Sequence, residues 1–193
     1  MRRMLGLLVV PALVSLGVVA CDESPQITDT PLGFTISEGL LILLDGDPTL
    51  GSVILSSSTG NCKSFQMGLN PQNILLSDFL TFNLQVQDPD GGYLPIAEGV
   101  YTIVEAAQPG SGNYAACVEY ETSASCAYSP TGANSGTLTL QPFAPDDGGT
   151  SDVTYSVVFG YSRFSGAYNL TTCRVPADVT EPDAGTCAPP GAI

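Results

Sequence analysis

The stretch Phe79-Leu80-Thr81-Phe82-Asn83-Leu84-Gln85-Val86-Gln87 decides the fold class. Leu80, Phe82, Leu84 and Val86 alternate with Thr81, Asn83, Gln85 and Gln87. That period of two places the apolar set on one face of a strand and the polar set on the other, whereas a helix would scatter both around its circumference. Asp88-Pro89-Asp90-Gly91-Gly92 ends the run with turn-forming residues.

The same grammar recurs on both sides. Upstream, Phe34-Thr35-Ile36 and Leu40 to Leu44 flank Ser37-Glu38-Gly39, Asp45-Gly46-Asp47-Pro48 breaks the pattern, and Ser52 to Ser56 resumes it. Downstream come Gly99 to Glu105, Tyr114 to Tyr120 and Thr137 to Leu140. Val153, Tyr155, Val157 and Phe159 then form one face of a strand, and Phe164, Gly166, Tyr168 and Leu170 repeat the pattern up to Cys173. Short strands between turn clusters predict an all-β fold, an antiparallel β-sandwich or barrel of about 8–9 strands. No convincing amphipathic helix follows the leader, although Gln72 to Leu80 has room for a turn or two. Ser135-Gly136-Thr137-Leu138-Thr139-Leu140 and Ser165-Gly166-Ala167-Tyr168-Asn169-Leu170 share a small-Gly-x-apolar-x-Leu pattern, read as two strands of one meander.

Of 193 residues, 44% are hydrophobic and only 12% charged, which suits a folded domain with polar, uncharged turns. The formal net charge is −14. Beyond Arg2 and Arg3 the only cations are Lys63, Arg163 and Arg174. Such a surface repels phosphate backbones and excludes nucleic acid as the expected partner.

At the start, Met1-Arg2-Arg3 is basic, Met4 to Ala20 is apolar, and Val18-Val19-Ala20-Cys21 closes with small residues before Asp22 and Glu23. This is the layout of an export signal. An uncleaved signal-anchor helix and a plain secretory signal are the alternatives. Residues 1–20 are thus read as the signal peptide, 21–31 as the new N-terminus and a tether, 32–173 as the β domain and 174–193 as a Pro- and Ala-rich coil tail.

Val18-Val19-Ala20-Cys21 resembles the lipobox of bacterial lipoproteins. The resemblance implies cleavage after Ala20, diacylglycerol on the Cys21 sulfur and an N-acyl chain such as palmitate. Two or three chains give stable anchoring where one is marginal. The stretch from Ser135 to Cys173 is also similar to β-rich lipoproteins of myxobacteria and their relatives, which pair an "sGTvtL" strand with a "GsFdltf" strand and a closing "sGsFna..C" strand. Residues 135–140 and 165–169 match the first and third, and Asp152 to Phe159 matches the second by alternation. Val53-Ile54-Leu55-Ser56 with Cys62 fits an early "ilsn…C" segment. This likeness implies lineage and location, not an activity.

Five cysteines follow Cys21: Cys62, Cys117, Cys126, Cys173 and Cys187. In an exported chain they read as disulfide partners. Cys117 and Cys126 flank a short polar segment and are expected to staple a hairpin. Cys62 is expected to join Cys173, or else Cys187, with the remaining thiol odd.

Histidine is absent, which removes Ser-His-Asp and Cys-His catalysis and His-ligated metals. Lys63 is the only lysine, and on a strand Ser64 would face away from it. Asp45 with Asp47, Asp88 with Asp90, and Asp146 with Asp147 put paired acids beside glycine. Calcium favours such loops, with Asp88, Asp90, Asp146 and Asp147 as candidate ligands, but Asp and Gly are turn formers in any case. Tyr114, Tyr120 and Tyr128 bracket the expected staple and form a candidate glycan or peptide face. Tyr101, Tyr155 and Tyr168 fall on core-facing positions. No cofactor or resident metal is expected. The resulting expectation is a non-enzymatic, lipid-anchored envelope protein, at the outer membrane in preference to the inner, that binds an unknown envelope protein or glycan. The alternative is a carboxylate-based enzyme such as a glycan hydrolase.

Overall fold

In the computed structural model, residues 27–67, 78–104, 112–122 and 128–177 are described. Strands β1 (Thr28–Asp29), β2 (Glu38–Leu44) and β3 (Asp47–Ser56) precede a six-residue helix α1 (Asn61–Gln66). Then follow β4 (Phe79–Gln87), β5 (Tyr93–Leu94), β6 (Gly99–Ile103), β7 (Gly112–Thr122), β8 (Tyr128–Gly132), β9 (Ser135–Leu140), β10 (Thr150–Phe159) and β11 (Ser162–Val175).

The alternation in β4 does what its period requires. Leu80, Phe82, Leu84 and Val86 are buried, and Asn83 and Gln85 lie on the other face. What alternation does not encode is the partner on each side. β4 pairs antiparallel with β3 on one side and with β7 on the other, and this second ladder joins the ends of the sheet. The order β4-β3-β2-β11-β10-β9-β6-β7 returns to β4, a closed barrel of eight strands with three more at its rim. Closure gives each of the eight ring strands a neighbour on both sides.

The expectation of a purely antiparallel sheet is corrected. β2 runs parallel to β11, and β6 runs parallel to β7. Both pairings join strands that are not hairpin neighbours, and strand direction across such a join follows from connectivity, which residue alternation cannot report. The rim strands complete stretches that ring strands leave short. β1 pairs with Ser162–Arg163 on the side of β11 that β2 occupies further along. β5 pairs with Val86–Gln87 beyond the end of β3, and β8 pairs with the far half of β7.

The interior is packed. Tyr101, Phe82, Leu138, Leu140, Leu80 and Leu170 are among its fully buried side chains. Leu32, Phe34 and Ile36, between β1 and β2, pack against this cluster, as does Phe143 from the β9–β10 loop. That loop is held by the Ala144 N–H donating to Ser151 Oγ at 2.9 Å and by the Thr172 hydroxyl donating to the Ala144 carbonyl.

The continuous apolar run of β2 has a separate explanation. Leu41 and Leu43 face the interior, while Leu40, Ile42 and Leu44 face outward into a second cluster with Ile54, Phe65, Phe79, Cys173 and Val175. A strand buried on both faces reads as uninterrupted hydrophobicity. Helix α1 covers the outer face with Phe65.

The repeated small-Gly pattern also gains a reason. Both glycines lie opposite β10, Gly136 across from Val157 and Gly166 across from Tyr155. A Cβ on Gly136 would lie 2.2 Å from the Ser156 carbonyl oxygen, and its φ of 144° is one that side-chain-bearing residues rarely adopt. At Gly166 a Cβ would meet the rings of Tyr168 and Tyr155, which stack at 6.3 Å across the space the glycine leaves. The expected β9–β10–β11 meander is present as two antiparallel ladders.

Two expected boundaries shift. Thr28–Asp29 is strand, not tether, and Arg174 and Val175 extend β11 into the segment expected to be coil. Phe79 and Leu80, where a helical turn had room to form, belong to β4, and residues 72–77 lie outside the described residues.

Candidate functional site

Cys62 and Cys173 form a disulfide with Cα atoms 5.6 Å apart. One partner comes from α1 and the other from the outer face of β11, so the bridge fastens the helix to the barrel wall. Cys173 is fully buried. Of the two partners open to Cys62, the structure selects Cys173. Cys117 sits on the inward face of β7, buried in the core. Its expected partner Cys126 lies outside the described residues, as do Cys187 and the lipidation candidate Cys21.

Around the bridge is a polar network that sequence reasoning missed. Glu38, at the start of β2, accepts the Gly60 and Asn61 backbone N–H groups at 3.1 and 3.0 Å, and the Asn61 side-chain amide at 2.5 Å. Gly60 takes a left-handed conformation with no side-chain cap, so a carboxylate from a distant strand satisfies the first donors of α1. At the other end of the helix Gln66 donates to the Arg174 carbonyl at 3.1 Å. Asp147 accepts the Arg174 N–H at 3.1 Å, and the Arg174 guanidinium pairs with Asp45 at 2.8 Å. The cue available beforehand was Gly60-Asn61, a helix-entry dipeptide before an apolar Phe65, but its capping acid is 22 residues away. Lys63 and Ser64, expected on a strand, are in α1 because the outer face of β2 needs a cover.

Of the candidate calcium ligands, the Asp88 and Asp147 carboxylates accept backbone N–H groups. Asp88 accepts the Asp90 N–H at 2.8 Å, while its N–H bonds the Gly92 carbonyl. Asp146 accepts the Gly149 N–H through its carbonyl, and Asp147 anchors β11 as described. Asp47 accepts both the hydroxyl and the N–H of Thr49, and these bonds, the hydroxyl's first, hold its carboxyl below the ordinary range. Among the described residues, no group of three metal-ligating side chains converges.

Of the candidate tyrosine face, Tyr114 is only 7% exposed. Its ring is therefore not open for stacking, which corrects the expectation, and Tyr93 lies beside it. Burial raises its hydroxyl pKa, and Tyr93 nearby adds to the shift. Tyr120 lies in β7 opposite Phe79, and Tyr128 in β8 opposite Thr122. Tyr101 and Tyr155 are core residues, as expected, and Tyr168 is partly buried against them. The Tyr101 hydroxyl donates to the Ala97 carbonyl at 2.6 Å, and burial pushes its pKa up.

The two ends of the barrel differ. Strands β2, β4, β9 and β11 end together, and the turns there carry Asp45, Asp47, Asp88, Asp90, Asp146 and Asp147. At the other end the β10–β11 hairpin exposes Tyr161, with Arg163 beside it. The Thr28 N–H bonds the Tyr161 carbonyl at 2.9 Å, so the described chain enters the barrel at this end. No helix among the described residues is long and apolar enough to cross a membrane.

Comparison with family models, with curated proteins and with solved structures returns no match.

Proposed function

We propose that this chain is an exported bacterial lipoprotein, held at the envelope by acyl chains on Cys21, whose barrel serves a binding or structural role without catalysing a reaction. The observation that carries the reading is the Cys62–Cys173 bridge. Disulfides persist in oxidising compartments and are rare where thioredoxin and glutathione keep thiols reduced. The bridge therefore supports export, which the leader and the Val18-Val19-Ala20-Cys21 sequence also favour.

The packed interior supports the second half. A barrel of this size can hold a small ligand or fill itself with side chains. Tyr101, Phe82 and their neighbours fill this one, so a partner would be met on the outer walls and ends. The acidic turns fit a protein or glycan partner in the envelope and disfavour nucleic acid.

The test is the Cys21→Ser variant of the full chain in a bacterial host. Detergent-phase partitioning and incorporation of a palmitate analogue should both be lost, with the domain released in soluble form. If the variant still enters the detergent phase at full yield, an apolar helix holds the protein and the lipoprotein reading fails.

A further inference from the structure

We infer that the β10–β11 hairpin end of the barrel, carrying Tyr161, Ile27 and Arg163, is the face that rests on the phospholipid surface. The inference depends on the lipid anchor proposed above and adds to it an orientation and a contact.

Reach is the first argument. Ile27 is six residues after Cys21, a span of at most roughly 20 Å. The parallel pairing of Thr28–Asp29 with Ser162–Arg163 fixes where that span begins. β11 is 14 residues long, so at the tilt usual for barrels the acidic end lies on the order of 30 Å away. The acidic end therefore cannot be the one that stands on the bilayer.

Chemistry is the second argument. Tyr161 is 62% exposed and Ile27 48% exposed; Leu50, Tyr93, Leu94 and Val100 are open at the acidic end, so reach decides between the ends and the side chains here supply the contact. Tyrosine suits the headgroup level, where a ring can be half buried while its hydroxyl stays wet. Arg163 is one of three cations after the leader. Its only ion pair among the described residues is a loose one with Asp29, at 3.8 Å, and the Asp29 side chain is 84% exposed. A solvent-exposed pair of that length contributes little, so the guanidinium can turn to a lipid phosphate. Arg174, by contrast, is held by Asp45 at 2.8 Å. The Asn134 side-chain oxygen accepts the Gly160 N–H at 2.6 Å and fixes the turn that presents Tyr161. The six aspartates of the opposite end are turned away from the headgroups, which leaves Asp29 as the acid beside Arg163 at this face.

The chain contains no tryptophan, so one substitution gives one emission signal. Tyr161→Trp and Tyr93→Trp replace exposed tyrosines at opposite ends; Tyr93 pairs with Gln87 at the acidic end. Each variant is purified as the full acylated chain and reconstituted into phosphatidylcholine vesicles with brominated acyl chains. The Tyr161→Trp emission should shift to the blue and lose most of its intensity to the bromolipid. The Tyr93→Trp emission should keep its intensity and respond to aqueous acrylamide. Equal quenching of both, or of neither, in protein shown by mass to carry acyl chains overturns the orientation and leaves the anchor standing. An N-terminal peptide without acyl mass overturns the anchor, and the orientation with it.

Discussion

Replacing both cysteines of the Cys62–Cys173 bridge by alanine should lower stability by about 4–5 kcal/mol without changing the fold. The bridge spans a sequence separation of 111 residues. In the chain-entropy model, closing a loop of that length removes about 16 cal/mol/K from the unfolded chain, or about 4.8 kcal/mol at 25 °C. For a domain of this size each kcal/mol moves Tm by roughly 2–4 °C, so the expected loss is roughly 10–19 °C. Alanine is preferred to serine because Cys173 is fully buried among Leu40, Ile54 and Phe65, where a hydroxyl would lack a partner. Melting followed by far-ultraviolet circular dichroism gives the first number, and a urea titration gives the second. The urea slope separates two mechanisms. If the bridge acts on the unfolded state, its removal exposes more surface on unfolding and the slope rises. If it acts by holding α1 in place, Tm falls while the slope stays. A Tm loss under about 3 °C, equivalent to about 1 kcal/mol, would refute the entropic reasoning. A chain that no longer folds would refute the claim that the barrel core suffices without the bridge.

Other outcomes follow from single contacts. Gly136→Ala should cost at least about 3 kcal/mol, because its Cβ would overlap backbone on β10 and its φ is unfavourable for any side chain; a melting temperature near that of the parent would show that β9 and β10 can separate there. Glu38→Ala should cost about 2 kcal/mol by leaving two backbone N–H groups at the start of α1 without their acceptor and the Asn61 amide with the Ser58 carbonyl alone; hydrogen exchange should quicken in α1 before it quickens in β4, and uniform quickening would contradict a local cap. Alkaline pH should destabilise the protein. Burial raises the Tyr101 and Tyr114 pKa above the ordinary value of 10.0, so the unfolded chain loses those protons first and stability falls as pH rises past about 10. Tyrosinate absorbance that titrates fully before any loss of circular dichroism would contradict that linkage.

How far the sequence carried the fold is visible in particular strands. The β4 alternation named its inward and outward residues correctly, because a period of two is a local property of each chain segment. The β9–β10–β11 meander was legible for the same reason, and the Gly160-Tyr161 turn leaves β10 and β11 little choice but to pair antiparallel. The Cys62 partner was narrowed to two residues. The site was far less legible. Glu38 read as part of a turn, and nothing nearby marks it as the acceptor for Gly60 and Asn61. Tyr114 read as exposed because it brackets the expected Cys117–Cys126 staple, whereas its burial involves a residue distant in sequence, Tyr93.

The sequence by itself determined the β class, the face each side chain takes within the alternating strands, and Cys173 as one of two possible partners for Cys62. These rest on spacing along a few residues and on the chemistry of single side chains. Tertiary structure alone decided that the sheet closes through β4 and β7, that β2 runs parallel to β11, and that α1 covers the apolar outer face of β2. It also decided that the chain enters at the end opposite the acidic turns. Each of these is a pairing between segments far apart in sequence. Its free energy belongs to the register and burial of two surfaces together, and neither surface carries that information alone.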